Sequence, residues 1–276
     1  MSFSELPLIS VIIPAYNAGN FIEETINSVL KQTYQNFEIL VIDDASQDST
    51  KSIVEKICLN EKRISFFEIE HTGRPAVLRN LGIKKSRGKY IAFLDSDDIW
   101  LPRKLEEQIE LLETKKTFSF VYSVSKTFGD VNIFSPKYEI LPLPFKAANT
   151  QNELLEKGNP VTCSTVVADK KLIMQAGCFD ENSDLAFVED YDLWIKLSRL
   201  GPVGFIPKIH TLYRVHDTQS SNSWNVKSER LAKLSNGKNL NLPEYKFYRN
   251  KGFVFLAARN IIHIISYFYY KVLGGY

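Results

Sequence analysis

The sequence predicts an α/β fold: a mostly parallel sheet flanked by helices and followed by a C-terminal helical tail. Three observations predict it. The first hundred residues alternate short apolar runs with helical patterns four times over. The opening run is continuous rather than alternating, as in a strand buried on both faces. Three of the four runs end in distinctive polar clusters: Pro14-Ala15-Tyr16-Asn17, Asp43-Asp44 and Asp95-Ser96-Asp97-Asp98. Successive β-then-α units imply parallel strands with helices on both faces. In such a sheet, ligands bind outside the carboxyl ends of the strands. The three clusters are therefore expected on one rim.

The elements follow in order. Residues 8–13 read as a strand, broken at Pro14. Ile22, Ile26, Val29 and Leu30 recur at helical spacing. Residues 37–42 form a second strand. Asp48-Ser49-Thr50 can cap a helix carrying Ile53, Val54 and Ile57. Residues 64–69 form a third strand, and a helix over 75–86 starts on Pro75, which suits a first helical turn. Residues 90–94 form a fourth strand. Beyond it, 102–116 reads as helix, 118–126 as strand, and the Gly- and Pro-containing stretch 128–150 as loop. An amphipathic helix covers 190–200, and further helices are expected over 224–236 and roughly 244–273.

Of the 276 residues, 44% are hydrophobic and 24% charged, which excludes wholesale disorder and leaves ample core. The formal net charge of +2 argues against a nucleic-acid partner. That sum hides a split. Residues 1–216 hold 25 basic and 29 acidic side chains, whereas 217–276 hold 9 and 3. The three cysteines, Cys58, Cys163 and Cys178, form no CxxC pair, so neither a disulfide framework nor a zinc site is expected. Reduced cytosol is the default compartment. No signal-peptide pattern opens the chain, and no charge-free stretch reaches about 20 residues, so no membrane span is expected.

Asp95, Asp97 and Asp98 repel one another at a strand end. A hard divalent cation with oxygen ligands would relieve that repulsion; the alternative is one helix cap and two solvated acids. Asp43-Asp44 can accept hydrogen bonds from a base or a ribose, or form a turn or helix cap. Glu189-Asp190-Tyr191-Asp192 opens a helix, where the dipole favours acids; a general base is the functional alternative. His210 and His216 flank Tyr213-Arg214, and isolated histidines are commonly packing residues. Arg74 and Arg79 can neutralise phosphate or stand solvated at a loop-to-helix junction. No GxGxxG, GxxxxGK[ST] or GxSxG motif is present, which excludes the enzymes built on those loops.

In order, the chain carries Ser10-Val11-Ile12-Ile13-Pro14-Ala15-Tyr16-Asn17, Val41-Ile42-Asp43-Asp44 through Thr50, Arg79-Asn80-Leu81-Gly82, Phe93-Leu94-Asp95-Ser96-Asp97-Asp98, Glu189-Asp190-Tyr191-Asp192-Leu193-Trp194 and Tyr213-Arg214-Val215-His216. Together these resemble an inverting family 2 glycosyltransferase of GT-A (Rossmann-like) fold and bacterial surface-polysaccharide type. The resemblance implies a catalytic domain over 1–216, with a nucleotide-sugar-binding part (1–98) and an acceptor-binding part (99–216), and a helical extension over 217–276. It implies that Ala15, Tyr16 and Asn17 line the nucleotide pocket and that Asp44 bonds a uracil or thymine base. Arg79, Asp95 and Ser96 would lie near the nucleotide. Asp97 would ligate Mn²⁺ or Mg²⁺, with His216 completing the metal or diphosphate site, and Asp190 would be the general base. The donor would be a nucleotide-diphosphate sugar, UDP-linked, and the acceptor a saccharide or lipid-linked saccharide. One departure stands out: His71-Thr72-Gly73-Arg74-Pro75 replaces the Gly-rich loop of many relatives. Two rivals are a sugar-1-phosphate nucleotidyltransferase and a non-catalytic carbohydrate-binding homologue.

In residues 253–273, 16 of 21 side chains are apolar or aromatic. Arg259, Asn260, His263 and Ser266 would form one polar stripe on that helix. Such a helix packs on its own domain or on a second subunit, as in a homodimer. Alternatively, residues 244–273 make a peripheral contact with the inner face of the cytoplasmic membrane. A true span is least favoured, because Arg259 would be costly in lipid.

Overall fold

The structure, a computed structural model, describes residues 6–130, 139–143, 147–182, 185, 188–217 and 253–274. The predicted alternation is present: β1 (Ile9–Ala15), α1 (Ile22–Leu30), β2 (Phe37–Asp43), α2 (Thr50–Cys58), β3 (Ile64–Glu68), α3 (Pro75–Lys85) and β4 (Tyr90–Phe93). There follow β5 (Ile99–Trp100), α4 (Lys104–Thr114), β6 (Phe120–Gly129), β7 (Ile140–Leu141), α5 (Gln151–Lys157), β8 (Val167–Asp169), α6 (Lys170–Gln175), α7 (Glu189–Ser198), β9 (Val203–Val215) and α8 (Phe253–Gly274).

The described strands form one nine-stranded sheet in the order β3-β2-β1-β4-β8-β6-β9-β5, with β7 paired to β6. The β3-β2-β1-β4 block is parallel throughout. β8 is antiparallel to both β4 and β6 and joins that block to the parallel β6-β9 pair. Strand periodicity divides the core between the two faces. Ile9, Val11, Ile13, Ile39 and Val41 pack with Ile22 and Ile26 of α1 and Leu105 of α4. Ile12, Leu40 and Ile42 point the other way, with Leu78 of α3 and Leu193 and Trp194 of α7. Both faces being covered explains the uninterrupted apolar runs.

Gly82 shows what one motif position does. A Cβ there would stand 2.6 Å from Ile12 Cγ2. Its absence lets α3 lie directly on β1 and carries Arg79, one turn earlier, to the strand ends.

Several elements differ from the sequence reading. β5, ahead of the helix expected over 102–116, falls where no strand was expected, and β7 lies inside the stretch read as loop. β9, 13 residues long, was not foreseen. It contains Pro207, and its register against β6 shifts between Ser123 and Ser125, so it lacks a clean two-residue alternation. The expected helix over 224–236 and the 244–252 part of the tail lie outside the described residues.

Candidate active site

Sheet order, more than sequence, assembles the site. β2, β1 and β4 are adjacent and parallel, so their polar ends lie side by side. The Asp44 backbone N–H donates to the Ala15 carbonyl at 2.9 Å. The loops after β1 and β2 are then knitted together. The Asn17 N–H donates to Ser46 Oγ, and the Gln47 N–H donates to Asn17 Oδ1, both at 2.8 Å. Asn17 and Ala45 adopt positive φ, 48° and 57°, to make these turns. Asp48 Oδ1 accepts the Thr50 N–H at the start of α2, as the capping pattern predicts.

This knitting leaves Tyr16 exposed at the rim, its ring centroid 4.6 Å from that of His71. Ala15 is buried beneath it. Asp44 is also buried. Its Oδ1 accepts from the Thr72 N–H at 2.7 Å and Thr72 Oγ1 at 3.0 Å, and its Oδ2 accepts from the Gly73 N–H at 2.8 Å. The variant His71-Thr72-Gly73 loop is thus held on the carboxylate expected to read the base. Gly73, at φ 64°, supplies the left-handed turn.

The acidic turn after β4 meets partners from distant chain segments. Asp97 Oδ2 lies 2.9 Å from His216 Nε2. The His216 ring packs on Phe21, with centroids 4.6 Å apart. Asp98 is fully buried, and its Oδ1 accepts the Arg214 N–H at 2.9 Å. The Arg214 side chain donates to the Asp97 carbonyl and to Glu24 on α1. Ser96 is tied through its carbonyl, which accepts from Thr25 Oγ1. Burial raises the Asp97 carboxyl above its ordinary value, and Asp95 adds to the rise, while His216 opposes it. Burial, then Asp97 and Asp95, push Asp98 well up.

Arg79 is almost fully buried. Its Nη2 donates to Asp95 Oδ1 at 2.7 Å and its Nη1 donates to Glu189 Oε1 at 2.8 Å. Expected near the nucleotide, it bridges the β4 acid to the first residue of α7. The buried Cys163 thiol senses the same group. Burial raises it most, Arg79 lowers it, and Asp95, Asp190 and Glu189 raise it further. Asp190 is therefore within electrostatic reach of Cys163. No side chain caps α7 at Val188; instead Asp190 Oδ1 accepts the Tyr191 N–H at 2.6 Å.

Sequence reasoning missed the Glu189–Arg79 pair, which spans 110 residues and has no local signal. It also missed Ser164, whose Oγ accepts the Asp95 N–H and whose carbonyl accepts Trp100 Nε1. Among the described residues, no three His, Cys, Asp or Glu side chains converge into a metal cage. Asp97 and His216 are a facing oxygen and nitrogen pair in the acidic turn. That suits a hard divalent ion that takes its other ligands from substrate phosphates and water.

A mostly parallel sheet with these acids at its strand ends has the GT-A fold. The chain matches the family model for Glycosyl transferase family 2 over residues 10–173. It belongs to that family. It is 36% identical over 217 residues to Escherichia coli WfaP, a UDP-Glc:α-D-GlcNAc-diphosphoundecaprenol β-1,3-glucosyltransferase, covering 76% of this chain and 78% of that one. Among solved structures, S. aureus TarS 1–349 in complex with UDP-GlcNAc superposes with a TM-score of 0.65 at 21% identity, covering 92% of this chain and 71% of that one. The Pyrobaculum calidifontis mannosyltransferase PcManGT, in complex with GDP-Man and Mn²⁺, gives 0.64 at 17% identity, covering 99% and 74%.

Proposed function

We propose that this glycosyltransferase moves a hexosyl group, with inversion, from a UDP-sugar to a hydroxyl of a lipid-linked saccharide in surface-polysaccharide synthesis. The observation that carries the reading is the meeting of Asp97 with His216 on the rim where Arg79 joins Asp95 to Glu189, next to Asp190. The similarity to WfaP, which uses UDP-Glc and a diphosphoundecaprenol-linked acceptor, supports the donor and acceptor classes.

In this reading residues 1–98 hold the donor, 99–216 the acceptor, and 217–276 form an extension. Tyr16, above Ala15 and Asn17, offers its exposed ring to the base. Asp44 shares its carboxylate between the base and the 72–73 backbone. Asp97 and His216 would hold Mn²⁺ or Mg²⁺, whose charge offsets that of the departing diphosphate. Arg79 fixes Asp95 against the rim and keeps Glu189 paired, which orients the start of α7. Asp190, in the first turn of α7, takes the proton of the acceptor hydroxyl as its oxygen attacks the anomeric carbon. The new C–O bond forms as the bond to the β-phosphate oxygen breaks, and the nucleoside diphosphate leaves with that electron pair. A lipid-linked acceptor would place the reaction at the inner face of the cytoplasmic membrane.

The test is a transfer assay with Mn²⁺, UDP-Glc, UDP-GlcNAc, GDP-Man and dTDP-Glc as donors and a GlcNAc-diphosphate lipid as acceptor. Acceptor-dependent release of UDP is expected. Release from no donor, or consumption of a sugar 1-phosphate with a nucleoside triphosphate, would overturn the assignment.

A further inference from the structure

The tail helix α8 is mounted inside out. Among its described side chains, His263, Ser266 and Tyr270 face the protein: the Ile140 N–H donates to His263 Nδ1 at 3.0 Å, and the Tyr270 hydroxyl donates to the Pro142 carbonyl at 2.9 Å. Ser266 is buried beside them. The unpaired edge of β7 accounts for this orientation, because its Ile140 N–H needs an acceptor once covered. Tyr270 completes a small core with Val124, Ile140 and Ile209.

The consequence lies on the opposite face. Ile262, Ile265, Phe268, Tyr269, Val272 and Leu273 share it at helical spacing and stand exposed, Val272 at 82%, Ile265 at 62% and Phe268 at 58%. A contiguous apolar patch of this kind marks an interaction surface. Charge selects the partner. Residues 253–274 contain no Asp or Glu, Lys271 is exposed beside the patch, and residues 217–276 carry 9 basic against 3 acidic side chains. Tyrosines and a lysine flanking the apolar face suit the headgroup boundary. Among the described residues, no helix is long and apolar enough to cross a membrane.

We infer that the outer face of α8 docks the enzyme on an anionic lipid surface, lying in the interface rather than spanning it. This deepens the reading of a lipid-linked acceptor, because α8 packs on β9, the strand that delivers Arg214 and leads into His216. Docking would therefore set the site at a fixed height above the bilayer.

Vesicle co-sedimentation tests the inference without donor or acceptor, so its failure is distinct from failure of the transferase reading. The full chain should bind vesicles of phosphatidylcholine with phosphatidylglycerol and bind pure phosphatidylcholine less. Ile265→Ser/Phe268→Ser, both at exposed positions, should lower the partition coefficient more than about tenfold while leaving the thermal midpoint unchanged. Leu59→Ser, an exposed apolar position on the other side of the fold, should have no effect. Wild-type binding by the double variant overturns the inference. So does absence of vesicle binding accompanied by a dimer that the double variant dissociates in sedimentation velocity, which would assign the face to a second copy of the chain.

Discussion

His216 Nε2 and Asp97 Oδ2 lie 2.9 Å apart although 119 residues separate them in the chain. β9 makes this contact by running parallel to β6 and ending beside the β4 turn. The pair ties the acidic turn after β4 to the end of β9. His216→Ala should therefore reduce Mn²⁺-dependent affinity for UDP by about ten- to a hundredfold. Calorimetry with and without Mn²⁺ would measure it, and unchanged metal dependence would remove His216 from the site.

Asp190→Asn keeps the size of the side chain and its acceptor for the Tyr191 N–H but cannot take a proton. Turnover should fall by about 10²–10⁴-fold, with UDP-sugar affinity held within about twofold. Retained turnover would show that another group is the base.

Arg79 is the counter-ion of two carboxylates, and Glu189 is as buried as Arg79 itself. Arg79→Met should cost about 3–5 kcal/mol in urea unfolding, because it leaves buried negative charge uncompensated. Adding Glu189→Met should return part of that loss. Strictly additive losses would mean that the pair is not coupled.

Tyr16 presents its ring at the rim next to His71. Tyr16→Ala should weaken UDP binding by about 1–3 kcal/mol, the range of base–aromatic stacking. Fold stability should hardly change, since half of the side chain is already in solvent. Equal affinity for UDP would place the base elsewhere.

His210 gives the protein an acid sensitivity unrelated to the site. Burial, with the nearby Lys104, Lys208 and Arg103 cations, pushes its imidazole down to about 3 from 6.5. Glu107, 3.3 Å away, favours the charged form but is already engaged by Lys208 and Arg103. Between about 6.5 and 3 the unfolded chain binds a proton that the folded chain refuses. This contribution is complete above about pH 6.5 and is lost as pH falls, by at most about 1.4 kcal/mol per pH unit. His210→Leu should flatten that part of the stability profile in urea melts at about pH 5 and pH 7.5. An unchanged slope would show that the carboxylates alone set it.

Local patterns made much of this molecule readable. Continuous apolar runs identified β1 and β2 because both faces of the central sheet are covered. The acid clusters stood out because unpaired carboxylates at strand ends are rarely accidental. The segments that resisted were those whose form depends on neighbours. β5 and β7 are two-residue strands held by β9 and β6, and β9 owes its irregular pattern to a bulge against its partner.

By itself, the sequence determined the alternation of strands and helices, the acids at their ends and the order of the family motifs, since each is written in the spacing of near neighbours. Tertiary structure decided which of those residues meet. It paired Asp97 with His216, spent Arg79 on Asp95 and Glu189 rather than on open solvent, and held the Asp44 carboxylate on the 72–73 loop. It also turned the tail helix over. Periodicity shows that α8 has a polar stripe and an apolar face, but not which of them faces the protein. The edge of β7 drew in His263, because a covered backbone N–H must find an acceptor, and the apolar face was left outward.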